Sequence, residues 1–230
     1  APSKHVCGDV TLRGVTRRYA VSDSAVGYPA TLSIDVKEAE RDKVSVGFRP
    51  FVAIPILIIL GLLTGASFEW EHSMLNYEMP VAGLVLLPTV LMILFQQKYP
   101  RWWFDWNLAL TRLGTRVAAF MALLHDDYPS TDELQYVHLD IPYPDVKADL
   151  NRWLPLVKWF LAIPHAVVLA FLSVAVFVCV IYSWFAILFT GRYPQSLSEF
   201  VVGFLRWQVR VAAYAVLLTT DRYPPFSFDA

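Results

Sequence analysis

Charged residues are scarce in this chain of 230 residues, and their scarcity is the first guide to its class. Only 17% of the residues are Asp, Glu, Lys or Arg, against roughly 25% in an ordinary soluble domain. Hydrophobic residues make up 56% and aromatic residues 15%. The net charge of −1 creates no overall field that would attract a nucleic acid. This composition is typical of a protein of the lipid bilayer.

Cysteine and the motifs of common enzymes are lacking too. Cys7 precedes the apolar runs and Cys179 lies inside one, so no disulfide framework is expected. No pair of Cys or His residues has the spacing of zinc ligands. The sequence shows no glycine-rich phosphate loop, nucleophile elbow or HExxH motif, and no signal peptide is expected at its start. We therefore expect no enzyme, no metal site and no cofactor.

Three long runs contain no acidic residue: 51–65, 80–95 and 154–190. The third holds only Lys158 and His165 as titratable groups, and as one straight helix it would be about 55 Å long. Because a hydrocarbon core is about 30 Å thick, we expect two helices folded at Ser173. Core helices of a soluble protein can have similar lengths, but a chain of this size could not bury so much apolar surface.

The two halves of the chain resemble each other, which predicts a tandem repeat. Residues 94–129 can be laid over 188–224, and FVAIP (51–55) over FLAIP (160–164). The short alternating segments TLSIDV (31–36) and YVHLDI (136–141) also correspond. The overlay pairs Tyr99 with Tyr193, Arg112 with Arg206, Arg116 with Arg210, and Asp127 approximately with Asp221. Each half thus predicts a strand, an apolar hairpin, a Tyr-Pro stop and a helix with two arginines.

The arginine helix of each half combines a narrow polar stripe with a broad apolar face. If it crossed the membrane, both arginines would lie at mid-depth, at about 2.5 to 3.5 kcal/mol each. We therefore expect it to lie on the surface as an amphipathic interfacial helix. All nineteen Lys and Arg residues then border one side, which predicts four spans with both termini in the cytoplasm. A six-span alternative stays open, because paired arginines can be buried between helices.

Tryptophans and arginines cluster where the apolar runs end. Indole rings favour the headgroup layer, so five residues are predicted interfacial anchors: Trp102, Trp103, Trp106, Trp153 and Trp159. Seven arginines are candidates for contact with anionic lipid or with a partner's acidic surface: Arg101, Arg112, Arg116, Arg192, Arg206, Arg210 and Arg222. The sequence leaves a second interpretation open, in which these are topology-setting charges with Glu199 and Asp221 as partners within the chain.

His165 is the candidate ligand inside an apolar run. Its imidazole has the chemistry to ligate the metal of a haem or a chlorophyll. Bis-His ligation would need a second histidine within a span, and the other four lie outside the runs: His5, His72, His125 and His138. We expect His165 instead to form a hydrogen bond with a neighbouring helix or with a carbonyl near Pro164.

Uncommon strings occur in a fixed order in the second half: LAIPH (161–165), AILFTGRYP (186–194) and an RW…R…AY…DRYPPFS tail (206–227). With these strings, residues 154–228 resemble an uncharacterised family of bacterial integral membrane proteins. The first half resembles a degenerate copy, with KYP for GRYP and DDYPS for DRYPPF. The resemblance implies a bacterial membrane location and supplies no established activity.

The sequence therefore predicts an all-α integral membrane protein with two tandem transmembrane hairpins. A short strand precedes each hairpin, an interfacial helix follows it, and the two strands are expected to pair. Four segments are expected: 1–48, a cytoplasmic segment with a strand; 49–129, the first membrane repeat; 130–153, a cytoplasmic linker with a strand; and 154–230, the second membrane repeat.

The expected function is that of a non-catalytic accessory or structural subunit of a larger complex in the bacterial inner membrane. Its partners would be other membrane subunits and anionic phospholipids, and no nucleic acid. Two alternatives remain: a small homo-oligomeric transporter or channel, and a pigment- or haem-binding subunit that uses His165. Transporters bury ionisable residues around a substrate site, whereas the apolar runs here hold no acid.

Overall fold

The computed structural model describes residues 28–36, 41–64, 87–130 and 136–229. These residues are mostly helical, with one sheet of two strands. In chain order the elements are β1 (Thr31–Ile34), α1 (Lys43–Thr64), α2 (Leu87–Gln96), α3 (Arg101–Met121), β2 (Val137–Asp140), α4 (Val146–Asp149), α5 (Leu154–Thr190) and α6 (Gln195–Ala215). The last turn of α2, Met92–Gln96, is a π-helix.

α5 is one continuous helix of 37 residues, so the predicted second hairpin is wrong. Ser173 remains helical and donates its hydroxyl to the carbonyl of Ala170 at 2.7 Å. Residues 166–190 contain no Gly or Pro, so nothing in this run breaks the helix. The helix ends at Gly191, whose φ of 73° closes the last turn in the left-handed conformation that glycine adopts without strain.

The loss of that hairpin removes the basis for four spans. Among the described residues, two helices, Lys43–Leu63 and Leu154–Thr190, are long and apolar enough to cross a membrane. The first predicted hairpin corresponds to α1 and α2, and its connection, 65–86, lies outside the described residues. The N-terminal segment before residue 28 does so as well.

α1 and α5 each bury one stripe and expose the rest of their surface. Buried positions recur three or four residues apart, as on one face of a helix. On α5 they include Pro155, Lys158, Ala162, His165, Ser183 and Ile187, with Leu169, Leu172, Val176 and Val180 packed against the core between them. On α1 they are Val46, Arg49, Ala53 and Ile56. The exposed surface of α5 carries no charged residue and includes Phe171 and Phe189, 75% and 80% exposed.

α3 and α6 form a middle layer behind α1 and α5. α6 packs on α5 and β1, whereas α3 packs on α1 and β2. Val201 and Trp207, on the predicted lipid-facing side of α6, are 0% and 4% exposed. The prediction that α6 rests its apolar face on lipid is therefore wrong, because α5 covers that face. The pattern of apolar residues along one helix shows which face is buried but not whether lipid or another helix covers that face.

The third layer is the sheet. β1 and β2 pair antiparallel, with Leu32 opposite Leu139 and Ser33 opposite His138, which confirms that the two strands meet. The buried side faces α3 and α6 through Leu32 and Leu139, and His138 and Asp140 point outward. The protein thus has a polar side at the sheet and an apolar side at α1 and α5.

Candidate membrane-binding face and its buried cations

Two arginines hold the sheet against the middle layer. Arg206 of α6 donates through Nε to the carbonyl of Leu32 at 3.1 Å. Arg112 of α3 donates through Nε and Nη2 to the carbonyl of Leu139, both at 3.1 Å. The two acceptor residues face each other in the sheet. Hydrogen bonds from a charged donor are stronger than neutral ones, so these contacts fix the position of both strands.

The next arginine of each helix is enclosed. Arg116 and Arg210 are 6% and 4% exposed. Arg116 donates to the carbonyl of Ser130 at 2.7 Å, and Arg210 donates to the carbonyl of Ser227. These contacts favour a role within the chain at both positions, although the acceptors are carbonyls and not the expected carboxylates. Arg101, Arg192 and Arg222 are the exposed members of the predicted set.

A tyrosine accompanies each enclosed arginine. The hydroxyl of Tyr136 donates to the carbonyl of Arg116 at 3.2 Å, and that of Tyr28 donates to the carbonyl of Arg210 at 3.3 Å. Burial raises the pKa of Tyr136 to about 12 and raises the pKa of Tyr28 as well. Burial likewise lowers the pKa of Arg210. Both tyrosines are therefore held in the neutral form beside a cation.

Two ion pairs join the apolar helices to the segments that follow α3 and α6. Arg49 of α1 lies 2.7 Å from Asp126, and Lys158 of α5 lies 2.7 Å from Asp221. Both cations also donate to carbonyls, Arg49 to His125 at 2.9 Å and Lys158 to Thr220 at 2.9 Å. Such bonds compensate part of the cost of removing the charges from water.

Sequence reasoning missed the first of these pairs. The overlay matched Asp127 with Asp221, but the side chain of Asp127 is 70% exposed and contacts His125. Asp126 is the residue in the equivalent contact. A signal was present: Asp126 and Asp221 each begin an Asp-x-Tyr-Pro string. Arg49 and Lys158 also each stand six residues before the proline of an AIP string.

Arg41 is a second buried cation that the sequence did not reveal. It is 4% exposed and donates to the carbonyls of Leu123 and Leu124. Its Nη1 also lies 3.4 Å from Asp126, so this carboxylate serves two arginines. Burial lowers the pKa of Arg41, and Asp126 opposes that shift. Since the ordinary value for arginine is above 12, the group stays charged.

His165 is fully buried, as the apolar position of its helix predicts. Its Nδ1 accepts a hydrogen bond from Nε1 of Trp207 at 3.1 Å, and Phe226 stacks on the ring with 3.9 Å between centroids. This confirms the expected bond to a neighbouring helix. Its Nε2, the atom that would ligate a haem iron, has no hydrogen-bond partner among the described residues and is enclosed by protein, so a haem could reach it only if the surrounding side chains moved. Within the described ranges no group of three His, Cys, Asp or Glu side chains could hold a metal ion.

The five predicted tryptophan anchors lie at the starts of two helices, α3 and α5. Trp102, Trp153 and Trp159 are 69%, 65% and 55% exposed, and Trp106 is 40% exposed. Trp103 is partly buried and donates through Nε1 to the hydroxyl of Thr89 at 2.9 Å. Four of the five indoles are thus accessible to a headgroup layer.

A cationic cleft opens beside these tryptophans, between the end of α2 and the start of α4. Its volume is about 640 Å³, within the roughly 300 to 1,000 Å³ of small-molecule sites. Lys98, Arg101 and Lys147 line it, with one carboxylate, Asp145. The guanidinium of Arg101 lies 5.3 Å from the ring centroid of Tyr143, and Asp145 accepts from the backbone N–H of Lys147. Because three cationic side chains and one carboxylate line the cleft, its chemistry favours binding of an anion.

The comparisons with known proteins agree with the resemblance to an uncharacterised family. Searches of curated proteins and of solved structures found no match. Residues 153–227 match the family model described as "Domain of unknown function (DUF4389)". The matched region comprises α5, α6 and the segment that follows, with the Lys158–Asp221 pair and His165 inside it. This part of the chain is a DUF4389 domain.

Proposed function

We propose that the protein is a non-catalytic accessory or structural subunit of a larger protein complex in the bacterial inner membrane. The observation that carries this proposal is the outer surface of α5, which exposes apolar side chains over 37 residues without a charge. Soluble monomers rarely expose contiguous apolar patches larger than a few hundred Å². Lipid accounts for this surface, and the sheet then faces the cytoplasm together with both termini.

A duplicated architecture is part of the proposal. Equivalent contacts support it: Arg112 and Arg206 each bind a strand carbonyl, and Arg49 and Lys158 each pair with an aspartate. Only the second copy is covered by the family match. In each case the arginine of one half binds the strand of the other half, which makes the unit a rigid platform.

Anionic phospholipids are the proposed lipid partners. The cleft of Lys98, Arg101 and Lys147 lies next to exposed Trp102, at the level where an indole would meet headgroups. Each Lys or Arg near an anionic surface contributes about 1 kcal/mol. The shared chemistry is a phosphate group at the membrane surface. Arg116 and Arg210 would contribute indirectly, by holding the scaffold.

Isolation of the tagged full chain from its native membranes tests the role as a subunit. The expected result is comigration with other membrane proteins on a native gel, and their loss when the polar side is altered by His138→Glu. A lone homo-oligomer that conducts ions in planar bilayers would overturn the proposal in favour of the transporter alternative.

The lipid contact is tested with vesicles of phosphatidylcholine, with or without phosphatidylglycerol. The triple variant Lys98→Gln, Arg101→Gln, Lys147→Gln should lose most of the preference for the anionic vesicles. Arg192→Gln, at an exposed arginine outside the cleft, removes one charge, and its loss should be well below one third of the loss in the triple variant. Inorganic phosphate as competitor separates a free-phosphate site from a headgroup site, since only the former would be saturated by it.

A further inference from the structure

α5 is longer than a membrane is thick, and it is attached to the protein along its whole length. Its 37 residues extend about 55 Å at 1.5 Å per residue, whereas a hydrocarbon core measures about 30 Å. The stripe that it buries begins at Pro155 and continues to Ile187. An upright α5 would therefore carry the layers packed on it into the hydrocarbon.

Both ends of α5 lie beside one stretch of the chain, of which residues 28–36 and Arg41 are described. At one end, the hydroxyl of Tyr28 lies 3.2 Å from the carbonyl of Arg222, the residue after the aspartate that pairs with the lysine of α5. At the other end, the backbone N–H of Arg41 donates to the carbonyl of Gly191 at 3.0 Å. Because this stretch reaches both ends of the helix, it would have to cross the bilayer beside an upright α5.

The stretch has the wrong composition for such a crossing. Its described part contains two charged residues, Asp35 and Arg41. A charged residue at the bilayer centre costs about 2.5 to 3.5 kcal/mol on insertion scales. Arg41 is buried in the protein, whereas Asp35 has a side chain 41% exposed.

Leu172 and Val176, in the middle of α5, pack against the buried core that includes Leu32 and Leu139 of the sheet. Nearer the start of the helix, hydrogen bonds connect α5 to the sheet through α6. His165 of α5 accepts from Trp207 of α6, and the residue before that tryptophan, Arg206, binds the carbonyl of Leu32 in β1. The outer side of the sheet exposes His138, whose side chain is 54% exposed. One helix thus separates α5 from an open polar surface, so an upright placement would put that surface in lipid.

We propose that α5 lies in the plane of the membrane, with its exposed face immersed in one leaflet, and does not cross the bilayer. This inference rests on the proposed membrane location. In-plane amphipathic helices bury their apolar face about 5 to 10 Å into the boundary between headgroups and acyl chains. α5 itself exposes no charge. The polar surface that faces water is therefore supplied by the layers behind it, α6 and the sheet.

Depth measurements along α5 test this placement. Single-cysteine variants are made at three exposed positions, Leu156→Cys near its start, Phe171→Cys near its middle and Phe189→Cys near its end, with Cys7 and Cys179 replaced by serine. The full chain carries a polarity-sensitive fluorophore at each site in phosphatidylcholine–phosphatidylglycerol vesicles. Lipids brominated at shallow or deep acyl positions then report the depth of each label.

An in-plane helix predicts the same shallow depth at all three positions. An upright or steeply tilted helix predicts shallow labels at Leu156→Cys and Phe189→Cys and a deep label at Phe171→Cys, and that profile overturns the inference. His138→Cys on the sheet is the control, and the inference requires that no brominated lipid quenches it.

The outcomes separate this inference from the proposed function. A graded depth profile refutes the in-plane placement and leaves the membrane location intact. Absence of quenching at every position of α5, with the protein recovered apart from the vesicles, refutes the membrane location itself. Far-ultraviolet circular dichroism and thermal unfolding of each variant verify that the labels report on the folded chain.

Discussion

The Nζ atom of Lys158 lies 2.7 Å from Oδ1 of Asp221 while no part of the lysine side chain reaches the surface. Its aspartate retains 20% exposure of the side chain, so the two partners differ in their access to water. The pair joins the start of α5 to the segment that follows α6. This asymmetry between the partners leads to the first prediction.

Removal of Asp221 should destabilise the protein more than removal of Lys158. Asp221→Asn leaves an enclosed ammonium without its counter-charge, and breaking a buried pair in this way costs about 3 to 5 kcal/mol. Lys158→Met leaves a carboxylate that water can reach, so its effect should be smaller. Unfolding in detergent micelles, followed by circular dichroism, measures both.

The double variant Lys158→Met, Asp221→Asn should be more stable than Asp221→Asn alone, because it leaves no enclosed charge. Lys147→Met, an exposed lysine in α4, is the control and should change stability by less than about 0.5 kcal/mol. Equal losses in both single variants would contradict the asymmetry of the pair.

Loss of a strand contact should destabilise the sheet. Arg112→Met removes two hydrogen bonds from a charged donor to the carbonyl of Leu139, and such bonds contribute about 1.5 to 3 kcal/mol. Arg206→Met should act in the same direction on Leu32. Amide hydrogen exchange should accelerate first in β1 and β2. Arg192→Met is the control. If the strand amides of the Arg112 variant remain as protected from exchange as those of the unaltered protein, the arginine contacts do not hold the sheet.

Two glycines in the middle layer should respond to alanine in opposite ways. A Cβ at Gly203 would lie 2.8 Å from Cβ of Phe228, so Gly203→Ala must displace the C-terminal segment, at about 1 to 3 kcal/mol. A Cβ at Gly114 meets nothing within 4 Å. Gly114→Ala should therefore stabilise α3 by about 0.5 to 1 kcal/mol. Thermal unfolding of the two variants in the same detergent decides, and a gain in stability at Gly203→Ala would be contrary to the packing described.

Alkaline pH should destabilise the fold between about pH 10 and pH 12. Burial raises the pKa of Tyr136 from 10.0 to about 12, so the unfolded chain ionises first and binds fewer protons than the folded one. The contribution of Tyr136 to the free energy of unfolding is fully present below pH 10. It is lost as the pH rises through the folded pKa, and the loss is on the order of 2 kcal/mol. Tyr136→Phe should flatten this fall in a series of melting curves, and Tyr182→Phe, on the exposed face of α5, should not. A fall of the same steepness in Tyr136→Phe would assign the effect to other groups.

The short-range patterns of the sequence predicted several elements correctly. Alternation predicted both strands and their pairing, the Tyr-Pro strings marked the start of α3 and α6, and the apolar runs located α1 and α5. Burial of His165 against a neighbouring helix also followed from its position. These features depend on residues close in sequence, or on a periodicity that one element displays by itself.

The turn predicted at Ser173 was wrong, because it was inferred from membrane thickness and not from turn residues. A helix that lies along the protein has no such limit on its length. The ion pair of Arg49 was missed because its two members are 77 residues apart and the second copy of the Asp-x-Tyr-Pro string is shifted by one position in the overlay. Pairings between distant residues emerge only when the layers are assembled.

The exchange of strands between the two halves also constrains how the chain can be made. Leu32 is synthesised early, yet the arginine that binds its carbonyl follows 174 residues later. Contacts of such separation close late and slow the search for the native state. Until α6 leaves the ribosome, β1 can pair with β2 but lacks the helix that covers it, so an emerging chain would need protection of its first strand, and neither half should mature by itself.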